Sequence, residues 1–205
     1  MSARGVTGVI FDLGGVLVSY DREDVVRRIF PDPAAAALAE SDVLARDDDW
    51  AAIDRGLASL DDIARAAARR TGLPQADLLR LLRGCSTTWT TQHETVELLR
   101  QVKARGLRTF CLSNMGDDGI AHLEATQTFW DLFDGIVISC RVGYCKPQPE
   151  VYAHLLVTHA LDASRTVFID DMPDNLAAAA KFGIRPLRFE SAAQCARALR
   201  ALGCL

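Results

Sequence analysis

The chain has 205 residues, with 27 Asp and Glu against 23 Lys and Arg, and a formal charge of −4. Apolar residues at 49% and charged residues at 24% exclude disorder, collagen and a coiled coil as the main architecture. A mildly acidic chain also lacks the clustered positive charge that draws proteins to nucleic acid or anionic membranes. A chain of this size makes one large domain, or a domain with an insert, and buries roughly 70% of its unfolded surface without a metal or disulfide staple. No window approaches ~18 consecutive apolar residues, so no membrane span is expected. The apolar run near the N-terminus is broken by Asp12, which does not fit a signal peptide. Six cysteines, at 85, 111, 140, 145, 195 and 204, form no CxxC pair. Free, mostly buried thiols in a reducing cytoplasmic compartment are expected. Cys140 and Cys145, close to Lys146, are the two that could respond to oxidants.

In chain order, five β-rich runs stand out at 6–12, 107–113, 135–139, 166–170 and 186–189. The first four are near-continuous apolar stretches, as expected of strands covered on both faces of a parallel sheet. The fifth is interrupted by Arg188 and is placed at an edge. Between the first two runs, Val25, Val26, Ile29 and Phe30 share one helical face. Ser59-Leu-Asp-Asp62 reads as a capping box opening a helix with Leu60, Ile63 and Ala67 inward, and Leu78, Leu79, Leu81 and Leu82 fill a third helix. Thr91-Gln-His-Glu94 reads as another capping box, before a helix ended by Gly106. Pro149 is placed to open a helix carrying Val151, Tyr152, Leu155 and Leu156. Residues 175–182 form an Ala-rich helix stopped by Gly183. Alternating strands and helices predict a doubly wound α/β fold.

Spacing locates the insert. Asp12 and Ser113 stand 101 positions apart, whereas Ser113 to Ser139 spans 26 and Ser139 to Asp170 spans 31. Against a βαβ unit of ~30 residues, the first gap carries an excess of roughly 70. Residues 19–88 are therefore expected to form a helical cap over the C-terminal strand ends, where ligands bind in open α/β sheets. Residues 1–18 and 89–205 then make the core.

Polar residues cluster where the strands end: Asp12 after Gly8-Val-Ile-Phe11, Ser113 and Asn114 after Thr109-Phe-Cys-Leu112, Asp170 and Asp171 after Thr166-Val-Phe-Ile169. A lone strand-end Asp is most often a helix cap. Three such runs converging on one edge, with Lys146 in a Pro-flanked loop, point instead to a cation or a ligand joining them. No Walker A loop, GxGxxG fingerprint or GxSxG elbow is present.

Four segments carry a family resemblance: Phe11-Asp-Leu-Gly-Gly-Val-Leu17, Leu112-Ser-Asn114, Lys146-Pro-Gln-Pro-Glu-Val-Tyr152 and Phe168-Ile-Asp-Asp-Met-Pro-Asp-Asn175. In this order they resemble the motifs of the haloacid dehalogenase-like hydrolase superfamily, and the insert matches that family's small helical cap. The branch they resemble is that of sugar-phosphate phosphatases with an Asp-Leu-Gly first motif. The resemblance implies a Rossmann-like core and a Mg²⁺-dependent phosphatase acting on a small phosphorylated metabolite, such as a sugar phosphate. Asp12 would be the nucleophile, with Ser113 and Lys146 as its catalytic partners. Ser113, Asn114, Lys146 and the backbone at Gly15 would hold phosphate. Asp12, the Gly14 carbonyl, Asp171 and, directly or through water, Asp170 would hold Mg²⁺. From the cap, Asp21, Trp50, Asp54 and Arg55 are candidates for substrate contact. A monomer or homodimer is expected.

Two positions depart from the family pattern. Gly14 stands where relatives place a second Asp that protonates the leaving alcohol, help typically worth ~10²–10⁴-fold. Water or a cap residue takes over, or the leaving group is good enough to dispense with it, as in an anomeric phosphate. Asn175 replaces a common Asp and removes one charge near the metal. Two other readings remain at this stage. One is a 2-haloacid dehalogenase-type hydrolase using Asp12 without metal. The other is a phosphate-binding or interaction protein whose catalysis was lost with the acid at position 14.

Overall fold

The computed structural model describes residues 5–205; the first four residues of the segment assigned to the core lie outside the described residues. The chain opens with β1 (Gly8–Phe11), whose four residues are all buried, and soon reaches the short strand β2 (Val18–Ser19). A helical insert follows: α1 (Arg22–Ile29), α2 (Pro33–Ala39) running into a π-helical turn, α3 (Asp47–Asp54), α4 (Leu60–Thr71) and α5 (Gln75–Thr87). The chain returns through β3 (Thr90–Thr91), α6 (His93–Ala104), β4 (Arg108–Ser113) and α7 (Asp117–Thr126). It ends with β5 (Gly135–Ile138), the short α8 (Ser139–Val142), α9 (Pro149–Thr158), β6 (Thr166–Asp170), α10 (Pro173–Lys181), β7 (Arg185–Arg188) and α11 (Ala192–Ala201).

Five strands form one parallel sheet in the order β5-β4-β1-β6-β7, with β7 at the edge as its interrupted pattern foretold. Strand side chains alternate between faces. Val9, Phe11, Cys111, Val167 and Ile169 pack on one side, against Leu99 and Val102 of α6, Leu123 of α7 and Leu199 of α11. Ile10, Phe110, Leu112 and Phe168 pack on the other, against Val151, Tyr152 and Leu155 of α9 and Leu176 and Ala179 of α10. Both faces are covered, which explains the unbroken apolar runs.

The insert has an apolar cluster of its own, built from Val25, Val26, Ile53, Leu60, Ile63, Ala67, Leu78, Leu81, Leu82 and their neighbours. The Ser59 capping box is present: its side chain accepts from the Asp62 N–H while Asp62 reaches back to the Ser59 N–H. The second expected box is not. Thr91 lies in β3, paired with Val18, and its hydroxyl donates to Gln127 at 2.6 Å, so α6 starts after Gln92 with no side-chain cap. This two-stranded antiparallel ribbon ties together the two tethers of the insert. All six cysteines are free, and five are buried. Burial pushes the Cys140 thiol up to about 12 and the Cys145 thiol up to about 11. The same burial disfavours the thiolate, the form that oxidants attack. Among the described residues no helix is long and apolar enough to cross a membrane.

Leu81 is fully buried in the insert's cluster. Leu81→Ala is expected to cost about 2–5 kcal/mol by lost transfer energy and the cavity left behind. Urea unfolding checks this; a change under 1 kcal/mol would mean that the cluster contributes little.

Candidate active site

Four loops at the C-terminal ends of the sheet bring the reactive residues together. Asp12 follows the central strand, and its N–H donates to the Ile169 carbonyl at 3.0 Å, which fixes the first loop to the last residues of β6. Asp170 ends β6 and is fully buried. Lys146 enters from the loop before α9, through a cis Lys146–Pro147 bond, and is also buried. Its ammonium lies 2.7 Å from Asp12 Oδ2 and 2.8 Å from Asp170 Oδ2.

Two amides hold this arrangement. Asn114 Nδ2 donates to the Lys146 carbonyl at 2.8 Å, and the Lys146 N–H donates to Asn114 Oδ1 at 2.7 Å. Asn114 thus clamps the backbone of the lysine loop. Asn175 Nδ2 lies 3.1 Å from both oxygens of Asp170, while the Met172 N–H donates to Asp170 Oδ1 at 2.8 Å. Asn175 is therefore a donor that orients Asp170, where sequence reading saw only a missing charge. The oxygens of Asp170 are largely occupied by these donors and by Lys146.

The electrostatics follow from burial. Burial pushes the Asp12 carboxyl up to about 7; the Lys146 ammonium pulls it back and Asp170 adds to the push. Burial works to strip the proton from Lys146, but Asp12 and Asp170 outweigh it and leave its pKa raised. Asp171, half-buried, is raised by burial and then by Asp170. Three carboxylates against one ammonium leave two negative charges in a confined space. A divalent cation would offset them.

The residues fit such an ion. Asp12, Asp170 and Asp171 each offer an oxygen, and these atoms lie within 4.8 Å of one another. Mg²⁺ takes oxygen ligands, and this all-oxygen donor set is of the kind that would hold it. Gly15 makes room for it: φ is +73°, and a Cβ there would stand 2.5 Å from Asp171 Oδ2. Only glycine allows the first loop to pass so close beneath Asp171.

A cleft of about 490 Å³ opens between the strand ends and the insert, bordered by Gly14 and Asn114 on one side and by Trp50, Ile53 and Asp54 on the other. Of the expected cap contacts, Trp50 and Asp54 line it. Trp50 donates from Nε1 to the Leu44 carbonyl at 3.0 Å. Asp21 instead is the exposed N-cap of α1, accepting from the Asp24 N–H at 2.9 Å. Arg55 donates from Nε to the Gly143 carbonyl at 3.2 Å, docking the insert on the core. Sequence reading missed Tyr20, Trp89, Met115 and Met172, which also line the cleft. Tyr20 and Trp89 meet edge to face with ring centroids 4.9 Å apart. They flank the two tethers of the insert, a placement that the assigned limits 19 and 88 could have revealed. Ser113 is buried at the end of β4.

The fold and the strand-end acid cluster define a capped α/β hydrolase. Residues 6–183 match the haloacid dehalogenase-like hydrolases, and the chain belongs to that family. It is 28% identical to the sesquiterpene phosphatase astK of Aspergillus oryzae, over 95% of this chain and 96% of that protein. It is 21% identical to the D-ribitol-5-phosphate phosphatase of Bacteroides thetaiotaomicron, over 92% and 94% of the two chains. Among solved structures, the magnesium complex of the enzyme BT-2542 from Bacteroides thetaiotaomicron superposes with a TM-score of 0.73 at 21% identity, covering 91% of this chain and 94% of that one.

Two predictions follow from the charges. Lys146→Met leaves two buried carboxylates unpaired and is expected to cost about 3–5 kcal/mol. The loss should be larger at pH 8 than at pH 5, because the Asp12 carboxyl, already raised by burial to about 7, is neutral at the lower pH; denaturant unfolding with equal losses at both pH values would contradict the charge argument. Burial also pushes Asp54 up to about 6, against Lys146 and the Gly116 N–H. A raised carboxyl stabilises the fold fully below its unfolded value near 4, and that benefit is lost as pH rises through about 6. A shift of this size is worth at most about 3 kcal/mol, and residual solvent contact reduces it to ~1–2 kcal/mol. Asp54→Asn should therefore raise Tm at pH 8 and leave it nearly unchanged at pH 4.

Proposed function

We propose that the protein is a Mg²⁺-dependent phosphatase of small phosphate monoesters, working through an aspartyl-phosphate on Asp12. The observation that carries this reading is the buried Lys146 ammonium shared between Asp12 and Asp170, beside the oxygen cluster completed by Asp171. Phosphoryl transfer needs an in-line nucleophile and positive charge around the equatorial oxygens. Asp12 supplies the attacking oxygen. Lys146 balances the charge of the entering phosphate, and Ser113 with backbone N–H groups around Asn114 and Gly15 donates to its oxygens. Asn114 acts mainly by fixing the Lys146 loop, and Asp170 by fixing the ammonium.

Asp12, Asp171 and the Gly14 carbonyl would hold Mg²⁺, with Asp170 joining through water because its own oxygens are already engaged. The ion would neutralise charge developing on the phosphoryl oxygens. Residues 19–88 form the cap that closes the cleft on the substrate. Metal-free dehalogenation is the weaker reading, since it would leave the two surplus negative charges uncompensated. The intact strand-end constellation argues equally against a purely phosphate-binding role.

The leaving group meets Tyr20, Trp50, Trp89 and Met172. This lining favours an organic group with an apolar or flat face over one recognised only by hydrogen bonds. The similar proteins named for sesquiterpene and ribitol phosphates bracket the range to test, and sugar 1-phosphates belong in it.

Asp12→Asn should keep the fold and abolish turnover of every phosphate ester, and chelation by EDTA should do the same to the wild type until Mg²⁺ is restored. Residual turnover in the variant rejects Asp12 as nucleophile. Activity that survives chelation, with halide released from a 2-haloacid, would favour the dehalogenase reading.

A further inference from the structure

We infer that Asp54, the last residue of α3, is the general acid–base that position 14 lacks, serving the leaving oxygen from the cap side of the cleft. The inference rests on the phosphatase reading above. Gly14 has no side chain, and a Cβ there would look toward the Trp89 ring at 3.9 Å. Position 14 thus faces the cleft, and Asp54 lines that same cleft.

The end of α3 is held on the core at three points. Gly116, at the start of α7, passes so close to Ile53 that a Cβ there would stand 2.5 Å from its side chain and 3.3 Å from its carbonyl oxygen. Arg55 Nε donates to the Gly143 carbonyl at 3.2 Å. Gly56, at φ +68°, runs so close to the Cys140 carbonyl that a Cβ would lie 3.0 Å from it. Asp54 is therefore a cap residue whose place is fixed relative to the core.

The groups facing it are the Lys146 ammonium and the Cys140 and Cys145 thiols, with Arg22 and Asp47 further along the cleft. Burial raises the Tyr20 phenol and the Cys85 thiol, so both remain protonated. Asp47 is exposed. Asp54 is the group lining this cleft that burial has moved toward neutrality, to about 6, the range in which an acid–base catalyst is most effective. An entering phosphate dianion would push the carboxyl further up.

In the first step Asp12 Oδ bonds to phosphorus, the bond from phosphorus to the ester oxygen breaks, and the Asp54 proton passes to that oxygen. The alcohol leaves neutral and Asp54 remains as carboxylate. In the second step Asp54 takes a proton from water as the water oxygen bonds to phosphorus. The Asp12–phosphorus bond breaks, phosphate is released and Asp54 is again the acid.

The test compares wild type and Asp54→Asn, with Mg²⁺ present, on p-nitrophenyl, phenyl and alkyl phosphates. The value of kcat/KM reports steps only up to alcohol release. It should fall ~10²–10⁴-fold on the alkyl esters and less than about tenfold on p-nitrophenyl phosphate, whose leaving group needs little protonation. The dependence on leaving-group pKa becomes steeper, the alkaline limb of the pH profile on alkyl esters disappears, and p-nitrophenyl phosphate shows a burst before slow turnover. Asp54→Glu, which keeps the carboxyl, should restore that limb at a displaced pH, and serves also if the Asn variant does not fold. Equal losses on all esters with an unchanged pH profile would reduce Asp54 to a docking residue and overturn the inference, while leaving the phosphatase reading intact. A wild type inactive on every ester defeats both.

Discussion

The structure turns on one buried cation. Lys146 sits between Asp12 and Asp170 at hydrogen-bond distance from each, where neither carboxylate could remain ionised alone at reasonable cost. Much of the surrounding architecture serves to keep that ammonium in place. Asn114 fixes its backbone from the end of β4, and Asn175 fixes Asp170 from the start of α10. The Tyr152 hydroxyl, from α9, in turn donates to the Asn175 carbonyl at 2.9 Å. Charge, loop and helix starts are thus coupled through short polar contacts under the sheet's C-terminal edge.

This coupling also explains why the site is short of two positive charges. The single lysine balances one carboxylate, and Asp171 is pressed against the glycine turn that follows Asp12. The surplus charge is concentrated where three carboxylate oxygens converge, so the site suits a hard divalent ion. The organic part of a substrate would meet a different surface, made of aromatic rings and sulfur from both the core and the insert. The acid cluster and this aromatic lining thus lie side by side in the same region of the fold.

Most of the fold was legible because its signals are local. Apolar runs ending in Asp or Ser marked three of the strand ends, and the Ser59 box marked a helix start with both partners three positions apart. What failed were features made by distant pairing. Thr91 looked like a cap, yet its partner is Val18, across the whole insert. Asn175 gave no sign in the sequence of its role toward Asp170, which depends on the turn from β6 into α10. Tyr20 and Trp89 escaped notice because their meeting depends on the ribbon that joins the tethers.

That ribbon has a mechanical meaning. Core and insert each carry their own apolar cluster, while the covalent path between them narrows to two paired residues on each side. The insert is also held outside this waist, by Arg55 Nε donating to the Gly143 carbonyl and by the packing of α5 against α7, so a narrow covalent neck and a broader non-covalent seat together set how the insert stands over the acids.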